Sequence, residues 1–258
     1  MRIVEWTKEN RDNVDWNSLF LRWERMQMVH NPYRNEQKET IYRVSGIDSI
    51  AKARVLDLGC GPGSLVKYFL RRKEDVEFTA VDIDPFLLAV FENTLVSGSS
   101  VTILRKDTRD GSWFRQYEGS FDAVISLTSL HWLSQKNQKT LYRRIYSVLK
   151  DGGVFANGDP YLPTDETVRS RLAELQKEKA KAVMGETWDE YWESIYSKYH
   201  IKDLLDEAKQ FLFHWEDFEG CDDGYTTDFY LESLREAGFK KADVYWQGGL
   251  RIVYGGVK

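Results

Sequence analysis

Between residues 52 and 158, short apolar runs alternate with longer stretches in which apolar positions recur every three or four residues. The runs predict strands at 54–58, 76–82, 101–104, 121–126 and 153–157, and the stretches predict helices at 64–73, 85–96 and 136–149. Asp151-Gly152-Gly153 reads as the stop of the last helix. This alternation is that of βα units around a parallel sheet. Near the end of the chain the pattern gives a helix at 227–237 with Gly238 as its C-cap, then strands at 241–246 and 250–254. Their short link, Gln247-Gly248-Gly249, favours an antiparallel pair.

Residues 1–48 and 160–223 are different in character, rich in Trp, Tyr, Lys and Glu and helical in period. Within the second segment, helices are predicted at 165–184 and 188–213, broken at Gly185-Glu186-Thr187 with Thr187 as N-cap. Trp188, Tyr191, Trp192, Tyr196 and Tyr199 fall at three- and four-residue spacing, which predicts the buried face of a covering helix. The expected organisation is one domain over 1–258. It has an N-terminal helical cap at 1–48, a core at 49–159 and 224–258, and a helical lid inserted at 160–223. There is no internal repeat and no low-complexity tract.

Composition narrows the field. The 258 residues, 42% hydrophobic and 14% aromatic, suffice for one sizeable core. With 36 Lys+Arg against 41 Asp+Glu the net charge is −5, which excludes a strongly basic nucleic-acid binder. No apolar run approaches the roughly 20 residues that span a bilayer, and the first residues lack a signal core. Two cysteines, Cys60 and Cys221, make no disulfide framework and have no metal-ligand spacing. A soluble, cytoplasmic protein without a membrane partner is expected.

The chemistry concentrates at Val55-Leu56-Asp57-Leu58-Gly59-Cys60-Gly61-Pro62-Gly63-Ser64, a strand running into a glycine-rich turn and a helix. A dinucleotide fingerprint would carry G-x-G-x-x-G, but Ser64 stands where its third glycine belongs. Asp57, two residues before the first glycine, would repel a pyrophosphate and attract an ammonium or sulfonium. Charge thus points away from NAD and toward S-adenosylmethionine. The stretch resembles motif I of the class I S-adenosylmethionine-dependent methyltransferases, in their small-molecule branch, and later segments match in order over about 50–160 and 225–258. The resemblance implies a Rossmann-like α/β fold, with a mostly parallel seven-stranded sheet and an antiparallel C-terminal hairpin, carrying the helical caps. It also implies a cofactor site made of Asp57, Gly59, Cys60, Gly61 and Gly63, then Asp82 on the ribose hydroxyls with Ile83 on the adenine. Asp107 and Thr108 at the adenine edge and Ser126 and Leu127 after the fourth strand complete it. Asp84, before Pro85, reads as a helix N-cap.

Ser126-Leu127-Thr128-Ser129-Leu130-His131-Trp132-Leu133 is similar to the loop after the fourth strand in trans-aconitate and juvenile hormone acid methyltransferases, and makes His131 the candidate catalytic base. A hydroxyl acceptor would gain about 10²–10⁴ from such a base, whereas a carboxylate or free amine needs only orientation. Tyr33 and Arg34, in a turn before an N-terminal helix, are candidate contacts to cofactor or substrate. Asn157-Gly158-Asp159-Pro160-Tyr161 superficially resembles the N/D-P-P-Y motif of nucleic-acid amino-methyltransferases, but it follows the wrong strand. His200 and His214, with Glu216, Asp217, Asp222 and Asp223 nearby, lack ligand spacing, so no metal is expected. The expected activity is transfer of a methyl group from S-adenosylmethionine to a small-molecule acceptor, releasing S-adenosylhomocysteine, by a monomer or homodimer. The alternative is a tRNA-modifying (carboxy)methyltransferase, with Arg71-Arg72-Lys73, Arg143-Arg144 and Lys240-Lys241 as its basic clusters. A non-catalytic cofactor-binding protein is a third reading.

Overall fold

The computed structural model describes residues 14–198 and 220–258. A seven-stranded sheet in the order β3-β2-β1-β4-β5-β7-β6 forms its centre. The strands are β1 (Ala53–Leu58), β2 (Val76–Asp82), β3 (Val101–Arg105), β4 (Phe121–Leu127), β5 (Leu149–Pro160), β6 (Lys241–Gly248) and β7 (Arg251–Val257). β1 to β5 are parallel, and β7 runs antiparallel between β5 and β6. Strand order reverses between β1 and β4, so the crevice for a ligand opens beyond their carboxyl ends.

Side-chain alternation along the strands feeds two layers. In β1, Val55 faces α2 (Arg34–Val44) and α3 (Ser64–Leu70) with Ile41, Leu65 and Phe69, while Leu56 and Leu58 face the opposite layer. That second layer is α5 (Gln135–Val148) and α8 (Thr227–Ala237), which bury Leu141, Ile145, Tyr230 and Leu234. Helix α8 starts at the Thr226 N-cap and, as the sequence predicts, stops at left-handed Gly238.

One junction differs from expectation. Helix α5 ends at Val148 and β5 begins at once, so Asp151-Gly152-Gly153 is not a helix stop but a bulge within the strand. Leu149 pairs with Phe121, and pairing resumes only with Val154 opposite Ala123. Gly152, at φ 79°, donates to the Lys258 carbonyl at 3.1 Å.

The flanking segments are helical: α1 (Trp16–His30) and α2 before the sheet, α6 (Glu166–Ala180) and α7 (Trp188–Lys198) after β5. Helix α4 (Pro85–Thr94) follows β2. Asp15 caps α1, and Leu19, Trp23 and Met26 fall on one face against Phe86 and Val90 of α4 and Tyr191 and Ile195 of α7. Helix α6 buries no residue and is held by polar ties, among them Arg169 to Asp223 at 2.6 Å and Lys179 to Glu36. The remainder of the helix expected at 188–213, with Tyr199 and His200, lies outside the described residues, as does His214 beyond it. No described helix is long and apolar enough to cross a membrane.

Candidate active site

The glycine turn hangs on the end of β2. The amides of Gly59 and Cys60 both donate to the Val81 carbonyl, at 2.8 and 3.0 Å, and that of Gly61 donates to Asp82 Oδ2 at 2.7 Å. Gly61 sits at φ 51°, and a Cβ there would meet only Leu87, at 3.9 Å, so its outer side is open. A cavity of about 610 Å³ begins at this turn, within the range of cofactor and small-molecule sites. Asp57, Gly59, Cys60, Gly61, Asp82, Ile83, Asp107, Thr108, Leu127, His131 and Arg34 all line it. Eleven of the fourteen residues singled out in the sequence therefore share one space.

Three do not. Ser126 is fully buried between β1 and β4, where its hydroxyl donates to the Leu58 carbonyl at 2.7 Å. Gly63 caps α3 at φ 81°, and a Cβ there would lie 2.3 Å from the Phe91 ring, so its role is close packing of α3 on α4. Tyr33 is turned away because its amide is fixed on Asn31 Oδ1 at 3.3 Å. Its ring packs on Trp246 at 5.7 Å, with Lys179 Nζ 4.0 Å above it.

The cofactor half of the cavity is acidic. Asp57 is buried on β1, and neither carboxylate oxygen has a hydrogen-bond partner. Burial, then the Asp82 charge, push its pKa well above the usual range, against the pull of Arg34. Asp82 Oδ1 accepts the Asp84 amide at 2.9 Å, which leaves each of its oxygens with spare lone pairs facing the cavity. Asp84 caps α4 by accepting from Phe86 and Leu87 at 2.8 and 3.1 Å, and burial and the neighbouring Asp82 raise its pKa to about 7. Asp107 already accepts the Arg109 guanidinium, at 2.7 Å, and the Arg109 amide. An adenine amine would have to share that carboxylate. Arg144 holds the same loop through the Thr108 and Arg109 carbonyls, at 3.0 and 2.7 Å.

The other half comes from the ends of β4, β5 and β7. His131, on a short 3₁₀ turn after β4, is buried, and its Nδ1 lies 2.7 Å from Asp159 Oδ1. Asp159 Oδ2 also accepts the His131 amide at 3.0 Å and the Asn157 side-chain amide at 2.9 Å. Asn157 in turn donates to the Tyr254 hydroxyl, itself 2.8 Å from that of Tyr142. A carboxylate oxygen only accepts, so the proton in this contact belongs to Nδ1. The segment 157–161 thus matters for Asp159, whose pairing with a histidine 28 positions earlier no local pattern indicates.

Helices α1 and α7 close the outer wall with Trp23, Trp188 and Trp192, whose rings lie 5.7 to 6.4 Å apart. Behind the glycine turn, Glu24 accepts from Lys38 and Ser64 and lies 3.7 Å from Arg34. Arg34 reaches on to Thr128 Oγ1 at 2.9 Å, and Thr128 adopts the unusual φ of 57° in the loop after β4. Of these charged residues, Glu24 and Lys38 carry no motif signal, whereas Arg34 is a candidate contact from the sequence. No group of metal-ligating side chains occurs among the described residues.

The residues suit S-adenosylmethionine: an unpartnered buried carboxylate for its ammonium, a strand-end acid for its ribose, and a glycine turn open to ligand. Fold and site together follow the pattern of a class I methyltransferase. The methyltransferase-domain family model matches residues 55–153. A carboxy-S-adenosyl-L-methionine synthase of Campylobacter lari is 22% identical over 73% of this chain and 70% of its own length. The ribosomal RNA small subunit methyltransferase C of Shewanella loihica is 32% identical over 45% of this chain and 34% of its own. The structure of human N-acetylserotonin methyltransferase in complex with its cofactor superposes over 94% of this chain and 57% of its own, with a TM-score of 0.55 and 17% identity. The matched domain is a methyltransferase domain, and the fold is that of the class I S-adenosylmethionine-dependent methyltransferases.

Proposed function

We propose that the chain methylates a hydroxyl group of a small-molecule acceptor held between the cofactor site and the helices α1 and α7. The observation that carries the cofactor assignment is the buried, unpartnered Asp57 carboxylate beside the glycine turn. In this reading Asp57 takes the methionyl ammonium and Arg34 its carboxylate, while Asp82 takes the ribose hydroxyls. Ile83 packs on the adenine, and Asp107 and Thr108 meet its edge. Bound there, S-adenosylmethionine supplies a sulfonium-activated methyl group for in-line transfer. His131, held by Asp159 with Nε2 unprotonated, receives the acceptor's hydroxyl proton, and the Asp159 charge stabilises the imidazolium that results.

The small acceptor is favoured by the covering wall of Trp23, Trp188 and Trp192, which narrows the approach, and by the net charge of −5, which offers a polyanion no general attraction. An RNA acceptor is the alternative, since a relative acts on ribosomal RNA. Calorimetric titration with S-adenosylhomocysteine tests the cofactor reading: Asp57→Asn should bind at least tenfold more weakly than wild type. A screen of metabolite extracts and of tRNA and rRNA for S-adenosylhomocysteine release then separates the acceptors. Turnover on RNA alone would refute the small-molecule reading.

A further inference from the structure

Arg251 opens β7, opposite Pro160 of β5, and so stands at the carboxyl edge of the sheet in the half of the cavity that holds His131. One of its terminal nitrogens donates to the His30 carbonyl at 3.2 Å, and its Nε is buried without a hydrogen-bond partner. No carboxylate of the described residues comes within ion-pair distance of it. Asp159 spends its oxygens on His131 and Asn157, and Asp223 is taken by Arg169 at 2.6 Å. A guanidinium presents five donors in a rigid fork, and here a single one is used.

The neighbourhood adds to the imbalance. Burial is the largest influence lowering the Arg251 pKa, and the charge of Arg34, which lines the same cavity, adds to it, with Asp159 and Asp223 opposing. Arg34 has Glu24 at 3.7 Å to answer its charge, but Arg251 has no such contact. A partly buried cation left without a contacting anion is unfavourable, and a carboxylate accepting two parallel N–H bonds would relieve it.

We infer that Arg251 is the anchor for an anionic group of the acceptor, so that the molecule methylated is an acid carrying a carboxylate on Arg251 and its reactive hydroxyl toward His131. The inference rests on the proposed division of the cavity into cofactor and acceptor halves. A carboxylate held on a guanidinium is a poor nucleophile, so the anchor and the methylated group are separate parts of the acceptor.

Benzoate and benzamide, alike in shape and different in charge, test this on protein saturated with S-adenosylhomocysteine. Calorimetry should show saturable benzoate binding and at least tenfold weaker benzamide binding. Arg251→Gln should lose benzoate binding by about tenfold or more with its S-adenosylhomocysteine affinity unchanged, and Arg251→Lys, which keeps the charge and loses the fork, should fall between. Equal binding of the two probes, or benzoate binding indifferent to Arg251→Gln, would overturn the anchor. So would an equal loss of S-adenosylhomocysteine affinity in that variant, which would move Arg251 to the cofactor half. Failure of wild-type protein to bind S-adenosylhomocysteine would instead bring down the cofactor reading beneath it.

Discussion

The Gly61 amide donates to Asp82 Oδ2 at 2.7 Å, so the acid at the end of β2 orders the glycine turn as well as facing the cavity. Asp82→Ala removes this bond and the one from the Asp84 amide, leaving two amides to find other partners. We expect at least tenfold weaker S-adenosylhomocysteine binding, from lost charge-assisted bonds worth roughly 1.5–3 kcal/mol each, together with a lower melting temperature. Asp82→Asn keeps a carbonyl acceptor and should melt nearer wild type while still binding weakly. Unchanged calorimetric affinity in both folded variants would remove Asp82 from the cofactor site.

The glycines of the turn should separate into two kinds. An added Cβ at Gly61 meets nothing closer than Leu87, whereas at Gly63 it would overlap the Phe91 ring at 2.3 Å. Gly61→Ala should therefore damage cofactor affinity more than stability, with a strain of about 1–2 kcal/mol from φ 51°. Gly63→Ala should lower the melting temperature more, because α3 and α4 must move apart. Thermal denaturation and calorimetry of the pair would show the opposite order if Gly63, not Gly61, bordered the ligand.

How much of this could be read in the sequence depends on distance along the chain. The glycine turn, Asp82 and the capping Asp84 are local patterns, and each is where its neighbours predict. The helix-stop reading of Asp151-Gly152-Gly153 failed because the decisive contact, Gly152 to the Lys258 carbonyl, spans the rest of the chain. Tyr33 failed for a related reason: Trp246 and Lys179, which hold its ring, belong to distant elements. Glu24 and Arg251 sit in no motif and Asp159 in one that follows the wrong strand, and only folding sets them beside Ser64, His30 and His131.

The buried cluster behind the turn predicts a particular pH response. Burial alone would raise the Glu24 pKa, but the Arg34 and Lys38 charges and the bonds from Lys38 and Ser64 bring it down to about 2 from an ordinary 4.5. The folded state therefore binds this proton less tightly than the unfolded one. The stability it contributes is complete above pH 4.5 and lost as pH falls through 2. Glu24→Gln should cost about 3 kcal/mol at neutral pH, by leaving two cations without their counter-charge, and should flatten the acid limb of the stability curve between those pH values. Denaturant titrations across that range decide it; parallel curves for the two proteins would mean that Glu24 is not the group responsible.

The covering helices should respond to the cofactor. Trp23 from α1 and Trp188 and Trp192 from α7 line the same cavity as Asp57 and Gly61, so a bound ligand would give them a surface to close upon. Hydrogen exchange with and without S-adenosylhomocysteine should show added protection over 20–30 and 188–198 as well as at the turns around Gly61, Asp82 and Asp107. Protection confined to those turns would leave α1 and α7 as fixed scaffold.

His131 and Asp159 give the prediction on which the chemistry turns. Asp159 accepts from both Nδ1 and the backbone amide of His131, so it fixes the ring's position and its proton at once. Asp159→Asn keeps nearly the same shape, but its amide can turn a nitrogen toward the ring, favouring the tautomer with hydrogen on Nε2 and removing the acceptor for the hydroxyl proton. If His131 is a base, both His131→Asn and Asp159→Asn should lower kcat by about 10²–10⁴ while the affinity for S-adenosylhomocysteine stays within a few-fold of wild type. Rising pH should then restore part of the rate in each variant, because a hydroxyl acceptor that ionises in solution needs no base. A merely structural pair would behave otherwise. Its loss would lower the melting temperature and cofactor affinity together, through the Asn157, Tyr254 and Tyr142 hydroxyl and amide contacts, and high pH would rescue nothing. Rate and binding measured over the same pH range separate the two, and a full rate in folded His131→Asn would mean that the acceptor is methylated by alignment alone.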